Sequence, residues 1–246
     1  MMRKHFNLLI VLASFFLVFG AAYASIEVFS NYNTNLKINS DNTIEINKSL
    51  TLKNVYDTGI VPGQIEFKLA KSGDGGTGNI EVENVKAYDS YNNEIKTQIR
   101  KTNDYTVIIL DVYYPLLPGF EYDFSLYYKL SYAPGGIFFK SLQVPLREST
   151  IPIQSGQFKV SLPENYYFTY LNSGGTNSSV VKNVATWEIT NDLPQTVTFE
   201  YSYLPVRFGD LKGSYVFWFA VNILLFAILV FEIRREIKRI RKHDDD

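Results

Sequence analysis

Two pairs of carboxylates have the spacing of neighbours on one face of a β-strand. Glu121 and Asp123 form one pair, and Glu81 and Glu83 form the other, so the members of each pair are about 7 Å apart. Glycosidases use two carboxylates at comparable distances as acid, base or nucleophile. Such pairs are also common on solvent-facing strands, and no surrounding pattern indicates a pocket. We therefore assign no catalytic residue, and a carboxylate-dependent, membrane-anchored hydrolase remains an alternative.

The residue types that most enzymes rely on are scarce in this chain. There is no cysteine, and the two histidines, His5 and His243, lie near the chain ends. Histidine general bases, serine–histidine–acid triads and the usual zinc sites are therefore excluded from the region between the ends. Thiol catalysis and disulfides are excluded as well. We predict a protein that is not an enzyme and that has no cofactor and no metal site.

A glycine-rich segment at 71–79 is the other pattern that could bind a ligand, through its backbone groups. It contains a single carboxylate, Asp74, whereas a calcium site needs several oxygen ligands from side chains. No helical pattern follows that could hold a phosphate at its N-terminus. The segment is typical of a hairpin loop.

Two apolar segments near the ends of the chain predict its topology. The first, Leu8 to Phe19, follows Arg3 and Lys4 and precedes the small-residue pattern of Ala22-Tyr23-Ala24, which is typical of a secretory signal peptide. The second has 17 residues without a charge, Tyr215 to Phe231. Together with its flanks it is long enough to cross a bilayer.

The residues around the second segment indicate its orientation. Tyr215 and Trp218 lie near one end, where aromatic rings favour the headgroup zone. A basic cluster follows the other end: Arg234, Arg235, Lys238, Arg239, Arg241 and Lys242. The positive-inside rule makes that end cytoplasmic, and the cluster would also meet anionic headgroups. Inside the segment, the amide of Asn222 either bonds a neighbouring helix or is a tolerated polar group that faces lipid or bonds its own backbone.

The region between the apolar segments is β-rich. Tyr122, Phe124, Leu126, Tyr128 and Leu130 alternate with polar residues, the period-2 pattern of a strand with one buried face. Similar runs recur and are separated by Asn, Asp, Gly and Pro turns, which favours an antiparallel β-sandwich. The fold class is therefore all-β, with one C-terminal transmembrane helix and an N-terminal signal peptide.

The break around Pro145 and Pro152 suggests two packed β-modules. The predicted division is signal peptide 1–24, extracytoplasmic β-sandwich 25–147, second small β-module 148–206, juxtamembrane linker 207–214, transmembrane helix 215–233 and tail 234–246.

The chain between the apolar segments carries 16 lysines and arginines against 20 aspartates and glutamates. That mildly acidic balance argues against nucleic acid as a partner.

Surface features add two further hypotheses. Asn47-Lys48-Ser49 and Asn177-Ser178-Ser179 are N-glycosylation sequons, so Asn47 and Asn177 are candidate acceptors in an exported domain. Aromatic residues make up 15% of the chain. They fit either the core and ordinary strand surface or exposed contacts with other proteins.

Two segments carry a resemblance to a known family. Residues 116–128, with Leu116-Leu117-Pro118-Gly119 before an alternating strand, resemble a strand entry of the β-domains of zinc aminopeptidases and of ribophorin I-like subunits of oligosaccharyltransferase. Residues 191–201 resemble the closing strand of the ribophorin-like modules. The aminopeptidase catalytic motif is absent, so that activity does not follow. The resemblance implies an accessory subunit of a glycan-transfer complex.

These observations predict a single-pass protein of the cell membrane, with its N-terminal domain outside and its C-terminus in the cytoplasm. We expect the β-sandwich to contact other membrane or envelope proteins, so that the chain acts as an accessory or structural subunit. Asn222 would add a contact inside the membrane. The absence of cysteine and the abundance of Ile, Tyr and Asn fit a thermophilic archaeal envelope.

Overall fold

A computed structural model describes residues 26–70, 81–131, 136, 138–146, 148–172, 178–189, 196–207 and 211–244. The predicted signal peptide, the segment 71–79 and Asn177 lie outside these residues. Within the described ranges the strands and the helix are β1 Glu27–Ile38, β2 Thr43–Asn54, β3 Gly63–Ala70, β4 Glu81–Asp89, β5 Glu94–Ile95, β6 Thr97–Lys101, β7 Tyr105–Val112, β8 Glu121–Ser131, β9 Phe139–Pro145, β10 Gly156–Ser161, β11 Tyr167–Asn172, β12 Ser178–Val181, β13 Val184–Ile189, β14 Thr196–Ser202 and α1 Gly213–Asp244.

The strands form a sandwich in which one long sheet faces two short ones. The long sheet has eight strands in the order β12-β13-β10-β1-β2-β8-β4-β5, and the short sheets have the orders β3-β7-β6 and β11-β14-β9. β1 pairs with β2 in antiparallel register and with β10 in parallel register. The predicted all-β sandwich with one C-terminal helix is confirmed.

Alternation along the strands places the core between the sheets. On β2, Ile44, Ile46, Leu50 and Leu52 are buried on the inner face, as period-2 patterning requires. Aromatic rings join the layers at two places, one under each short sheet. The ring centroids are 6.4 Å apart between Phe29 and Phe67 and 6.3 Å apart between Trp187 and Phe199.

The long sheet runs through both predicted β-modules. β10, β12 and β13 come from 148–206, and β10 pairs with β1 from 25–147 along Thr34 to Lys37. The parallel pairing arises because the chain crosses between layers before it enters β10. The division at residue 147 remains a prediction, but the backbone hydrogen bonds of one sheet cross it.

The sandwich has two distinct ends. The β1–β2 turn is at one end, where the Lys140 ammonium at the start of β9 donates a hydrogen bond of 2.7 Å to Asn42. The β7–β8 loop is at the other end, where Asn54 N–H donates to the Phe120 carbonyl at 3.1 Å. β1 and β2 have 12 residues each, so the two ends are about 40 Å apart.

α1 leaves the sandwich at the β1–β2 turn end. It begins two residues before the predicted transmembrane segment and continues through the predicted tail to Asp244. The stretch Gly213–Arg239 is long and apolar enough to cross a membrane, and none of its most apolar part is buried inside the protein. Such an exposed apolar surface suggests a membrane anchor.

A lysine is buried in the centre of the core. Lys48 on β2 is 1% exposed, and its ammonium lies 3.2 Å from a Glu148 carboxylate oxygen. The ammonium also donates to the Tyr32 hydroxyl and to Thr34 Oγ1, both at 3.2 Å. Tyr128 donates its hydroxyl proton to the same carboxylate at 3.0 Å. Glu148, Tyr32 and Thr34 thus satisfy the Lys48 ammonium, and Lys48 and Tyr128 satisfy the Glu148 carboxylate. Buried charges require such partners.

Burial and charge together set the titration of this cluster. Burial disfavours the charge on Lys48, but the Glu148 carboxylate and the Tyr32 hydroxyl outweigh that effect, so the pKa of Lys48 is raised above that of an exposed lysine. Burial raises the pKa of Tyr32. Burial and then the Glu148 charge raise the pKa of Tyr128 well above its ordinary value.

Removing one partner of the buried pair should be costly, whereas removing both should not. Lys48→Met leaves Glu148 buried without a counter-charge, so we expect the free energy of unfolding to fall by about 3–5 kcal/mol. Lys48→Met combined with Glu148→Leu should recover most of this loss. Denaturant unfolding of the full chain in detergent measures both. Lys53→Met is the matched control, because the Lys53–Glu121 pair at 3.3 Å is exposed and should contribute under about 1 kcal/mol. Equal losses in the single and double variants would contradict the expectation.

The same cluster should make the fold sensitive to alkali. Lys48, Tyr32 and Tyr128 all have pKa values raised by folding. Each therefore stabilises the folded chain fully below its unfolded pKa, and that contribution is lost as the pH rises above about 10. We expect the free energy of unfolding, measured by denaturant titration at a series of pH values above 10, to fall less steeply in Tyr128→Phe, by up to about 1.4 kcal/mol per pH unit. Tyr91→Phe, at a position that is 83% exposed, should show the same pH dependence as the wild type. An unchanged slope in Tyr128→Phe would argue against the assignment.

Candidate interaction surfaces

A buried carboxylate fastens α1 to the β-sandwich. Glu200 on β14 is 2% exposed and accepts hydrogen bonds from Thr169 Oγ1 at 2.8 Å, from Ser214 N–H at 3.0 Å and from the Ser214 hydroxyl. The first turn of α1 has no acidic residue of its own. Glu200 thus supplies from β14 the negative charge that a helix N-terminus favours.

Close packing supports this contact. Gly213 is the first residue of α1, and a Cβ there would lie 2.8 Å from the side chain of Thr169 and 3.0 Å from the Val206 carbonyl. The Phe217 ring, one turn further along, is 5.5 Å from that of Phe139 between centroids. The helix therefore starts against the sandwich, and its direction is defined by side-chain contacts.

A cavity of about 390 Å³ lies beside this contact. We call it the junction cavity. It is lined by Gly136, Phe138, Phe139, Ser141, Glu200, Lys212, Ser214, Tyr215 and Trp218. Its walls combine four aromatic rings with one ammonium and one carboxylate. It lies where the apolar helix begins, and in membrane proteins the ends of such helices carry aromatic belts.

Asn54 organises the opposite end of the sandwich. Its side chain is fully buried and donates to the carbonyls of Thr58 at 2.8 Å and Leu116 at 2.9 Å. Its side-chain oxygen accepts from the Tyr56 N–H at 2.8 Å. Ile60 and Leu116 exchange two backbone hydrogen bonds. One amide thus ties the β2–β3 loop to the β7–β8 loop.

These two loops expose a group of apolar side chains that we call the tip patch. Its members are Val55, Tyr56, Val61, Tyr113, Tyr114, Leu117 and Phe120, each between 48% and 62% exposed. Aromatic side chains predominate, and they are held on loops that share hydrogen bonds. Exposed apolar clusters of this kind are typical of surfaces that bind proteins, membranes or ligands.

The tip patch has a well-defined backbone. The Phe120 N–H bonds the Leu117 carbonyl at 3.0 Å, and Gly119 has a φ of 76°, so Pro118 and Gly119 occupy the centre of a type II turn. Beside it, the rings of Tyr114 and Tyr122 stack at 5.4 Å. Burial, and then the charge of Asp89 and the Tyr114 hydroxyl, raise the pKa of Tyr122 above its ordinary value.

The carboxylate pairs considered for catalysis lie on strand surfaces. On β8, Glu121 forms an exposed ion pair with Lys53 at 3.3 Å, and Asp123 accepts a hydrogen bond from the Thr51 hydroxyl at 2.6 Å. Glu81 and Glu83 are exposed on β4. Cross-strand partners on β2 thus already engage Glu121 and Asp123.

The other predicted surface residues are found on strands and on α1. Asn47 is exposed on β2, in the middle of the long sheet. Asn222 is exposed and donates its amide to the Trp218 carbonyl at 2.7 Å, which matches the alternative in which it bonds its own helix. Two residues of the basic cluster form pairs within α1, Arg235 with Glu232 at 3.7 Å and Arg239 with Glu236 at 2.8 Å.

Sequence reasoning missed the buried polar residues that position these surfaces. Lys48 could have been found, because it occupies an inward position in the alternation of Ile44, Ile46 and Leu50. Glu200 gave no such signal: it lies on the face of β14 opposite Phe199, and its hydrogen-bond partners come from β11 and from α1.

Removing the charge of Glu200 should loosen the start of α1. We expect Glu200→Gln to lower the free energy of unfolding by about 1–2 kcal/mol, because an amide is a weaker acceptor for Ser214 and carries no negative charge to stabilise the helix N-terminus. Amide hydrogen exchange at 213–216 should accelerate in the full chain. Glu188→Gln, on an exposed position of β13, is the control. Unchanged exchange in Glu200→Gln would show that packing alone holds the helix.

Comparison with known proteins defines the fold and leaves the activity open. No protein-family model matches the chain. An uncharacterized protein of Methanocaldococcus jannaschii is 26% identical over 133 residues, which cover 54% of this chain and 92% of that protein. The similarity to an archaeal protein agrees with the expectation from composition.

Solved structures resemble this chain at low sequence identity. A "putative nutrient binding protein" from Legionella pneumophila has a TM-score of 0.50 at 9% identity, with 72% of this chain and 67% of that chain covered. An M1 zinc metallopeptidase from Deinococcus radiodurans has a TM-score of 0.41 at 12% identity. The chain spans 42% of that enzyme. The Legionella structure shows that this β-architecture occurs in another protein.

Proposed function

We propose that this chain is a non-enzymatic, single-pass membrane protein whose β-sandwich lies outside the cytoplasm and contacts other proteins of the membrane or envelope. It acts as an accessory or structural subunit. The observation that carries the proposal is the tip patch: seven exposed apolar side chains on two loops tied together by Asn54. Clustered exposed apolar side chains of this kind are typical of surfaces that contact a partner.

The position of the tip patch supports a partner that stands beside or above the protein. α1 begins at one end of the sandwich and the tip patch lies at the other, about 40 Å away along the strands. The anchor and the contact surface are therefore separated by the full length of β1 and β2. Such a subunit would hold a partner domain at a fixed distance from its own helix.

Mutating the tip patch tests this proposal. Tyr113→Ser combined with Leu117→Ser and Phe120→Ser should abolish the recovery of a stoichiometric partner from native membranes in mild detergent. All three side chains are more than half exposed, so the folded chain should keep its thermal stability. Tyr91→Ser is the matched control, because Tyr91 is an exposed aromatic residue in the β4–β5 turn. A partner recovered equally by the triple variant would locate the contact elsewhere.

A second candidate function is an accessory subunit of an oligosaccharyltransferase-type complex. What favours it is the sequence resemblance of residues 116–128 to a strand entry of ribophorin I-like subunits, in the stretch where the turn at Pro118 and Gly119 precedes β8. The same recovery experiment distinguishes the two functions by the identity of the partner. A glycosyltransferase would support the second, and envelope proteins would support the first.

The hydrolase alternative has its own test. Glu121→Gln with Asp123→Asn removes both carboxylates of the β8 pair while leaving side chains of equal size. Hydrolysis of a panel of chromogenic glycosides by the full chain in detergent is the readout, and equal hydrolysis by this variant and the wild type would rule out carboxylate catalysis at this pair.

A further inference from the structure

The junction cavity has the composition of a site for an amphiphile. Its volume of about 390 Å³ lies within the range of small-molecule sites. Phe138, Phe139, Tyr215 and Trp218 supply aromatic walls, and Lys212 supplies a cation. The exposed apolar surface of α1 begins directly below it, at Trp218 and Phe219.

The charges around the cavity favour an anionic ligand. The Lys212 ammonium lies 5.9 Å from the ring centroid of Tyr170 and 5.7 Å from that of Tyr215, and it forms no ion pair with any carboxylate of the described residues. Glu200, the carboxylate in the wall, already accepts three hydrogen bonds and faces the N-terminus of α1. The cation is therefore available to a ligand, and the carboxylate is compensated.

We propose that the junction cavity binds the phosphate-bearing headgroup of a membrane lipid, with Lys212 facing the phosphate. The aromatic side chains enclose the glycerol region, and the acyl chains run along α1 from Trp218 onward. The lipid is favoured over a free anion because the apolar walls continue into the apolar face of the helix, which leaves a path for acyl chains. This site is independent of the tip patch.

Tryptophan fluorescence offers a direct test. The chain has two tryptophans: Trp187 is fully buried in the core, whereas Trp218 is 51% exposed in the cavity wall. Phosphatidylglycerol with brominated acyl chains, added to the full chain in maltoside micelles, should quench Trp218. Lipid held by the basic cluster should not quench Trp218, because Arg234, the first residue of that cluster, is 16 residues from Trp218, or about 24 Å along the helix. Trp218→Phe gives the background from Trp187.

The variants separate a charge effect from general lipid contact. Lys212→Gln should raise the lipid concentration for half-quenching about tenfold, as expected for the loss of a charged contact. Lys212→Arg should restore it, and Lys159→Gln, an exposed lysine on β10, should match the wild type. Brominated diacylglycerol, which has the same chains and no phosphate, should quench about tenfold more weakly than the phospholipid.

Three results would overturn the proposal. These are equal half-quenching in Lys212→Gln and the wild type, equal quenching by brominated diacylglycerol, and release of the lipid by inorganic phosphate at the same concentration. The last result would assign the cavity to a free anion.

Discussion

The buried pair of Lys48 and Glu148 holds the layers of the sandwich together. Glu148 lies between β9 and β10, where the chain leaves one short sheet for the long one. Its carbonyl accepts a hydrogen bond from Lys68 N–H on β3 at 2.8 Å, and its carboxylate binds Lys48 on β2 and Tyr128 on β8. One residue thus joins both short sheets to the centre of the long sheet. Since a lone buried charge is unfavourable, each partner enforces the position of the other.

That constraint also specifies the register of the long sheet. β2 pairs with β1 on one side and β8 on the other, and Lys48 lies opposite Thr34 and Leu126. A slip of one residue would turn Lys48 toward solvent and bring Asn47 into the core. Glu148 would then be buried without its counter-charge. The register of β2 in turn places Asn54 at the far end of the strand, where it holds the two loops of the tip patch.

The sequence predicted the repetitive parts of this structure well. Alternation in β8 correctly gave Phe124, Leu126, Tyr128 and Leu130 as an inner face, and the charge-free run from Tyr215 gave the helix. Both follow from local periodicity, which a single sequence contains. The surfaces could not be predicted in the same way. Burial of Glu200 depends on α1, which begins 13 residues later, and the tip patch depends on hydrogen bonds between residues 54 and 116.

The absence of cysteine gives these buried polar residues a shared role. An exported β-domain often fixes its loops with disulfides, but this chain has none. In the described residues, the comparable positions are held by Glu148 between the layers, by Asn54 under the tip patch and by Glu200 under α1. Each is at most 6% exposed and joins segments distant in sequence. A hydrogen-bonded group of this kind constrains direction as well as distance. The sandwich therefore holds the start of α1 and the tip patch at opposite ends in a fixed relation, and it does so without a covalent cross-link.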